Sequence, residues 1–161
     1  MTAQTIYSRG VLDLAGNIPR IGRLRRPDAT ATVHSRLCGS TVTVDLRMAD
    51  GIVTDFAQEV SACALGQAAA SVVAGNIVGA NSTELRALSQ MMRRMLTEEG
   101  PPPEGRLGGL AALEPARDYK ARHPAIMLIF DAIVDVLDQI ESGEAVAPPS
   151  RDGAADKEQS S

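Results

Sequence analysis

The sequence predicts an α+β fold, in which a small antiparallel three-stranded sheet is packed on one side by helices, with a further helix before the sheet. Two observations carry this prediction. Between residues 30 and 60, apolar and polar residues alternate with a period of two, which is typical of half-buried strands. After Cys63 the period becomes helical, so strand and helix patterns are segregated rather than alternating along the chain.

The predicted sheet is centred on residues 41–47. The apolar residues of this strand are Val42, Val44 and Leu46. Their alternation with polar residues predicts that Asp45 lies on the solvent face. Asp50 and Gly51 come next, and this pair favours a two-residue hairpin turn into a strand over residues 52–60. Residues 31–37 are expected to supply the third strand.

Four helices are predicted. The first covers residues 4–14, and an alanine-rich helix follows Cys63 and ends near Asn76. The next helix begins at Asn81, because Asn81 and Glu84 have the spacing of a capping box. The last helix has one continuous apolar stripe along its length. The residues of this stripe are Ile126, Ile129, Phe130, Ile133, Leu137 and Ile140.

Two segments have no regular pattern. Residues 98–109 are rich in glycine and proline and are expected to form a loop. Residues 143–161 have the composition of a disordered tail. The sequence therefore predicts one domain over residues 1–142 and a tail over residues 143–161.

The overall composition is that of a soluble globular protein. The chain has 161 residues, of which 44% are hydrophobic and 22% charged, and its formal net charge is −4. This charge argues against nucleic acid as a partner, and the basic cluster at residues 20–26 is interpreted as a solvated loop. The longest apolar run has six residues, against the ~18 that a membrane helix needs. With two cysteines and no secretory signal, the expected location is the cytoplasm.

Each of the two cysteines lies at the edge of a predicted element. Cys38 and Gly39 precede the central strand, and Cys63 lies at the start of the alanine-rich helix. Free N–H groups and the helix dipole favour a thiolate at such a start, and a thiolate binds soft metals, carries sulfur or attacks electrophiles. Two thiols are too few for a tetrahedral metal site, which takes about four ligands. Structural burial remains the alternative for both.

Four segments resemble the U-type iron–sulfur cluster assembly scaffold family, the NifU-like N-terminal domain. The segment "YSRGVLDLAGNIPRIGRL" is similar to the family's opening helix and turn, and "LCGSTVTVDL" to its first ligand motif. "ACALGQAAAS" resembles the second ligand motif, and "ARHPAIMLIFDAI" the segment that opens the last helix. The resemblance covers residues 7–140 and implies the fold described above.

The resemblance also implies a ligand set. Cys38 and Cys63 match the first two ligand cysteines of the family, and Ser40 stands where the motif aspartate is expected. Both cysteines are therefore the expected ligands of an iron–sulfur cluster or of a single iron or zinc ion.

The third ligand cysteine is absent. An ungapped alignment places Ala125 at its position, and a shift by one residue places Pro124 there and His123 at the family's histidine. His123 is therefore the candidate third metal ligand. A second subunit of a homodimer, or an external thiol, is the alternative source of the missing ligands.

The implied function is that of a non-enzymatic scaffold or carrier, which binds iron, sulfide or a nascent cluster and passes it to apo-proteins. Its expected partners are a cysteine desulfurase, which supplies sulfur, and apo iron–sulfur proteins, which receive the cluster. Two other functions are compatible with the same residues. One is a persulfide sulfur relay through a single reactive cysteine, and the other is a binding or regulatory module that no longer assembles clusters.

Overall fold

The computed structural model describes residues 8–36 and 39–143. Cys38, the first residues of the predicted opening helix and nearly all of the predicted tail therefore lie outside the described residues. The described helices and strands are, in chain order, α1 (Arg9–Gly16), β1 (Ala29–His34), β2 (Thr41–Ala49), β3 (Ile52–Ser61), α2 (Ala64–Asn76), α3 (Ser82–Thr97) and α4 (His123–Ser142). Two 3-10 segments, Gly105–Asp118 and Lys120–Arg122, connect α3 to α4. The predicted α+β fold is confirmed.

The three strands form one antiparallel sheet in the order β1-β2-β3. Asp50 and Gly51 form the turn of the β2–β3 hairpin, with φ angles of 54° and 78°. Positive φ at both central positions is the geometry that Asp-Gly favours, because its twist matches that of the two strands. The third strand begins earlier than the sequence predicts, at Ala29, and ends at His34.

The inner face of the sheet packs against the helices, and α4 lies at the centre of this layer. Helix α4 contacts β1 and β2 on one side and α2 and α3 on the other. Every residue from Ala125 to Phe130 is consequently buried, whereas a helix on the surface would bury only one stripe. Helix α3 begins with the predicted capping box, in which Glu84 N donates to Asn81 Oδ1 (2.8 Å) and Asn81 N to Glu84 Oε1 (3.0 Å).

The outer face of the sheet is crossed by residues 20–28, which we call the strap. The strap first runs along the edge of β3, where Gly22 N donates to the Gln58 carbonyl (2.8 Å). It then passes over β2, and Leu24 N donates to Asp45 Oδ2 (2.9 Å). At its end, Asp28 N donates to the Leu46 carbonyl (2.7 Å).

The strap overturns one prediction. Asp45 does not lie in solvent: its side chain is 0% exposed. The alternation of β2 is correct, but the strap covers the outer face at this position and supplies hydrogen-bond donors to the carboxylate. A buried carboxylate is stable only with such partners.

The prediction of a loop over residues 98–109 is also wrong in its second half. A 3-10 segment begins at Gly105 despite the surrounding glycines and prolines. Leu110, Leu113 and Ala116 are spaced by three residues, so the period of three places them on one side, and all three are buried. The segment packs on α2 and α3. Within the described residues, no helix is long and apolar enough to span a membrane.

Candidate functional site

The strand register brings the two cysteine-bearing segments to the same end of the sheet. Thr41, three residues after Cys38, lies opposite Ser61, two residues before Cys63. His34, the last residue of β1, also lies opposite Thr41. The chain therefore enters β2 and leaves β3 at adjacent positions, and the candidate site is at this end.

The turn from β1 to β2 is closed by two backbone hydrogen bonds on either side of the undescribed residues 37 and 38. Ser35 N donates to the Ser40 carbonyl, and Gly39 N to the Ser35 carbonyl, each over 2.8 Å. Gly39 has a φ of 72°, which glycine adopts without strain. Ser40 is only 4% exposed, so the residue at the family's aspartate position is buried.

Cys63 lies where the sequence predicts it, at the N-terminal end of a helix. It is the N-cap of α2, with an extended backbone (φ −68°, ψ 170°), and its carbonyl accepts a hydrogen bond from Gln67 N (2.9 Å). The side chain makes no capping hydrogen bond, and the thiol is free and half-buried. The first turn of α2 has no acidic residue. The helix dipole therefore favours a negative charge at this position without competition from a carboxylate.

A close contact places the start of α4 against the first turn of α2. A Cβ atom on Gly66 would lie 2.8 Å from the Ala125 carbonyl oxygen and 2.9 Å from Ala62 Cβ. Only glycine permits this approach. Ala125 is 2% exposed, whereas Pro124 is half-buried at the first turn of α4. Of the two positions proposed for the absent third cysteine, only that of Pro124 therefore reaches the surface.

His123 uses one ring nitrogen inside the protein. Its Nε2 lies 3.0 Å from the Ala116 carbonyl oxygen and 3.1 Å from that of Arg117. Because carbonyl oxygens only accept hydrogen bonds, Nε2 must carry the proton and donate. Nδ1 is then the only ring nitrogen available to a metal ion. The role of His123 as a ligand stays a prediction.

A cavity of about 350 Å³ lies beside His123, between α3 and α4. Its lining residues are Arg93, Leu96, Thr97, Lys120, His123, Pro124, Met127 and Asp131. Cys63 does not line this cavity. Over residues 8–36 and 39–143, no three His, Cys, Asp or Glu side chains cluster closely enough to hold a metal ion.

Comparison with known proteins identifies the family of this chain. The profile of the family described as NifU-like N terminal domain matches residues 6–124. The chain belongs to this family. The iron-sulfur cluster assembly scaffold protein IscU of Thermotoga maritima is 28% identical to it over 142 residues, which cover 87% of this chain and 98% of that protein.

Two solved structures share the fold of this NifU-like domain. The N-terminal part of a nitrogen-fixing NifU-like protein from Brucella abortus is 59% identical, with a TM-score of 0.85, and the match covers 86% of this chain and 96% of that one. A protein assigned as an iron-sulfur cluster assembly scaffold for the SUF system of Fervidobacterium islandicum is 20% identical, with a TM-score of 0.77. The second match covers 84% of this chain and 99% of the other, and it shows the fold alone.

Sequence reasoning missed one polar cluster in this NifU-like domain, centred on Asp45. Its carboxylate accepts hydrogen bonds from Arg23 Nε (2.7 Å), Arg23 Nη2 (3.0 Å), Leu24 N (2.9 Å) and Thr30 Oγ1 (2.7 Å). The hydrogen bond with Asp45 raises the pKa of Arg23 above its ordinary value. The available signal was a lone acidic residue in an apolar strand, preceded along the chain by a basic loop.

Proposed function

We propose that this NifU-like domain is an iron–sulfur cluster assembly scaffold, which holds iron, sulfide or a nascent cluster through Cys38 and Cys63 and delivers it to apo-proteins. The observation that carries the proposal is the register of the sheet, which brings both cysteine-bearing segments to one end. The family match and the scaffold named as a relative in Thermotoga maritima support it.

The chemistry of Cys63 suits a cargo that must be released. Its thiol is half-buried and makes no capping hydrogen bond at the N-terminal end of α2. Thiolates bind iron, zinc and sulfide-bridged iron. An accessible site with few protein ligands exchanges its cargo more readily than a closed site with four protein ligands, such as a structural zinc site.

The protein ligands in one chain are incomplete. Pro124 and Ala125 have no donor side-chain atom, and Ser40 is buried. His123 could add one ligand through Nδ1, because Nε2 is used by the two carbonyls. Any remaining ligand comes from a second subunit or from an external thiol.

The proposal includes partners and a location. A cysteine desulfurase supplies the sulfur, apo iron–sulfur proteins accept the product, and the domain itself catalyses no reaction. The proposed location is the cytoplasm, where a reducing environment keeps both thiols free.

A persulfide relay is the second candidate, and the free, half-buried thiol of Cys63 at the start of α2 favours it. In this reaction the Cys63 thiolate attacks the outer sulfur of a desulfurase persulfide. A new S–S bond forms on Cys63, the S–S bond on the desulfurase breaks, and the desulfurase cysteine leaves as a thiolate. The relay needs one reactive cysteine and no iron.

Anaerobic reconstitution distinguishes the two candidates. The wild type and the variants Cys38→Ala, Cys63→Ala and Cys38→Ala/Cys63→Ala would be incubated with ferrous iron and sulfide and desalted, and iron, sulfide and zinc would be counted per chain. A scaffold retains iron and sulfide in a fixed ratio, and each single variant loses them. Values near one half per chain indicate a site shared by two subunits. If the wild type retains no more than the double variant, the scaffold proposal is wrong, and the relay or a binding module that no longer assembles clusters takes its place.

A further inference from the structure

The strap concentrates positive charge on the outer face of the sheet. Four of the seven residues in positions 20–26 are arginines, in a chain whose formal net charge is −4. Arg20 and Arg23 form ion pairs with Asp55 and Asp45. Arg25 and Arg26 are exposed and have no ion-pair partner among the residues that the structure describes. Two adjacent guanidinium groups are therefore available to an external anion.

The backbone that presents these arginines is fixed to the sheet. Gly22 is bonded to β3, Leu24 to the buried Asp45, and Asp28 to β2, all by backbone N–H groups at 2.7–2.9 Å. Asp28 also accepts a hydrogen bond from Met48 N (2.8 Å) through its side chain. A binding loop that is already ordered loses less conformational entropy when a partner binds.

The strap leaves the outer face uncovered on the side of the candidate site. Beyond Asp45, this face carries two exposed cross-strand polar pairs, Thr32 with Thr43 (2.8 Å) and His34 with Thr41 (3.0 Å), and the exposed Glu59 and Ser61 of β3. Asp45 and Thr41 are four positions apart along β2, which corresponds to about 13 Å. A protein seated on the strap therefore extends over a polar area towards the sheet end next to Cys63.

We propose that the strap is a docking surface for an acidic segment of a protein partner, held by Arg25 and Arg26. Complementary charge guides such encounters and fixes their orientation. Nucleic acid fits the surface less well, because binding to it depends on neutralising several phosphates with Lys and Arg. The strap offers two free arginines, and the rest of this chain is acidic. The docking surface does not depend on which cargo Cys63 carries.

The test measures binding of a fluorescently labelled oligoglutamate peptide to the full chain by anisotropy at low salt. The variant Arg25→Glu/Arg26→Glu reverses the charge of the two free arginines. The matched control, Arg94→Glu/Arg122→Glu, makes the same change in net charge at two exposed arginines outside the strap. Circular dichroism confirms that all three proteins are folded. A labelled oligonucleotide of the same charge is the competing probe.

We expect the strap variant to bind the peptide about tenfold more weakly than the wild type, and the control to stay within about twofold. Added salt should weaken binding of the wild type, because exposed charges are screened. The proposal is overturned if the wild type does not bind, or if the control loses as much affinity as the strap variant. It is also overturned if the oligonucleotide binds more tightly than the peptide and depends on the same arginines, because the strap would then be a nucleic-acid site.

Discussion

Asp45 shows how a single side chain orders a segment without regular secondary structure. Transfer of a lone carboxylate from water to a buried site costs several kcal/mol. Here four hydrogen bonds, two of them from one guanidinium group, offset that cost. Three of the four come from the strap, so the burial of the Asp45 side chain and the position of the strap depend on each other.

Replacement of Asp45 by asparagine should destabilise the protein by about 1–3 kcal/mol. Asparagine keeps one acceptor oxygen, but its NH₂ group replaces the second oxygen. That group faces N–H and O–H donors and cannot accept a hydrogen bond from them. The loss stays below that of a fully buried ion pair, because the Arg23 side chain is 49% exposed and water can solvate it. The measurement is urea unfolding of the wild type and of Asp45→Asn.

The matched control is Asp55→Asn, which removes the carboxylate of an exposed ion pair with Arg20 at 3.2 Å. Its cost should be no more than about 1 kcal/mol. Equal losses in the two variants would show that burial of Asp45 has no energetic consequence.

Asp131, which lines the cavity, is expected to make the stability of the protein depend on pH. Burial raises the pKa of Asp131 above its ordinary value of 3.8, and the Arg93 guanidinium acts in the opposite direction. A carboxyl group whose pKa is raised by folding binds its proton more tightly in the folded state. Its contribution to stability is therefore complete at low pH and is lost as the pH rises from its ordinary pKa through the folded value.

The variant Asp131→Asn has no such proton to lose. Its free energy of unfolding relative to the wild type should consequently increase as the pH rises from about 3 to 6. Urea unfolding at a series of pH values checks this slope. A slope of the opposite sign would mean that the ion pair with Arg93 outweighs burial.

At the scale of elements, the contact between α2 and α4 determines the geometry next to Cys63. The two helices touch through Gly66 and the Ala125 carbonyl. The first turn of α2, which begins just after Cys63, therefore cannot move independently of the first turn of α4.

Gly66→Ala should destabilise the protein by about 1–3 kcal/mol, because the new methyl group meets a backbone oxygen at 2.8 Å and Ala62 Cβ at 2.9 Å. Neither atom can move aside as the end of a flexible side chain could. Thermal or urea unfolding measures the loss.

Gly75→Ala in the same helix is the control, since the added carbon would lie 4.0 Å from its nearest neighbour, Pro19 Cγ. Alanine there should stabilise the helix by up to about 1 kcal/mol. Destabilisation of similar size in both variants would contradict the close contact at Gly66.

Features that depend on neighbours in the sequence could be predicted from it. The capping box of Asn81 and Glu84, the turn of Asp50 and Gly51 and the N-terminal position of Cys63 are examples, and all are observed. The burial of Asp45 could not be predicted in this way, because its partner Arg23 is 22 residues away. The 3-10 segment from Gly105 was missed for a related reason, because it depends on packing against α2 and α3. This packing of buried residues spaced by three offsets the low helical propensity of its glycines.

The same distinction applies to the candidate site. The sequence shows where the two thiols lie, and the resemblance to the family implies that they are ligands of a cluster or metal ion. The hydrogen bonds of His123 Nε2 to two carbonyl groups of the 3-10 segment follow only from the fold. They limit His123 to one ring nitrogen for any metal ion, a restriction that no local pattern reveals.

In the whole molecule, the inner face, the outer face and one end of the sheet have different roles. Its inner face supplies the core with α4, and its outer face is crossed by the basic strap. One end joins the two cysteine-bearing segments through the pairing of Thr41 with Ser61. A partner on the outer face can therefore reach the end of the sheet at Thr41 and Ser61 without disturbing the core.

Cys38 and Cys63 are expected to form one site, and anaerobic titration with cobalt(II) distinguishes one site from two separate thiols. Thiolate–cobalt absorption reports the number of bound ions per chain, and zinc should displace them because it binds the same donors. If the two thiols form one site, we expect saturation at no more than one ion per chain and loss of tight binding in both Cys38→Ala and Cys63→Ala. If either single variant keeps the wild-type affinity, the two thiols act separately and do not form one site.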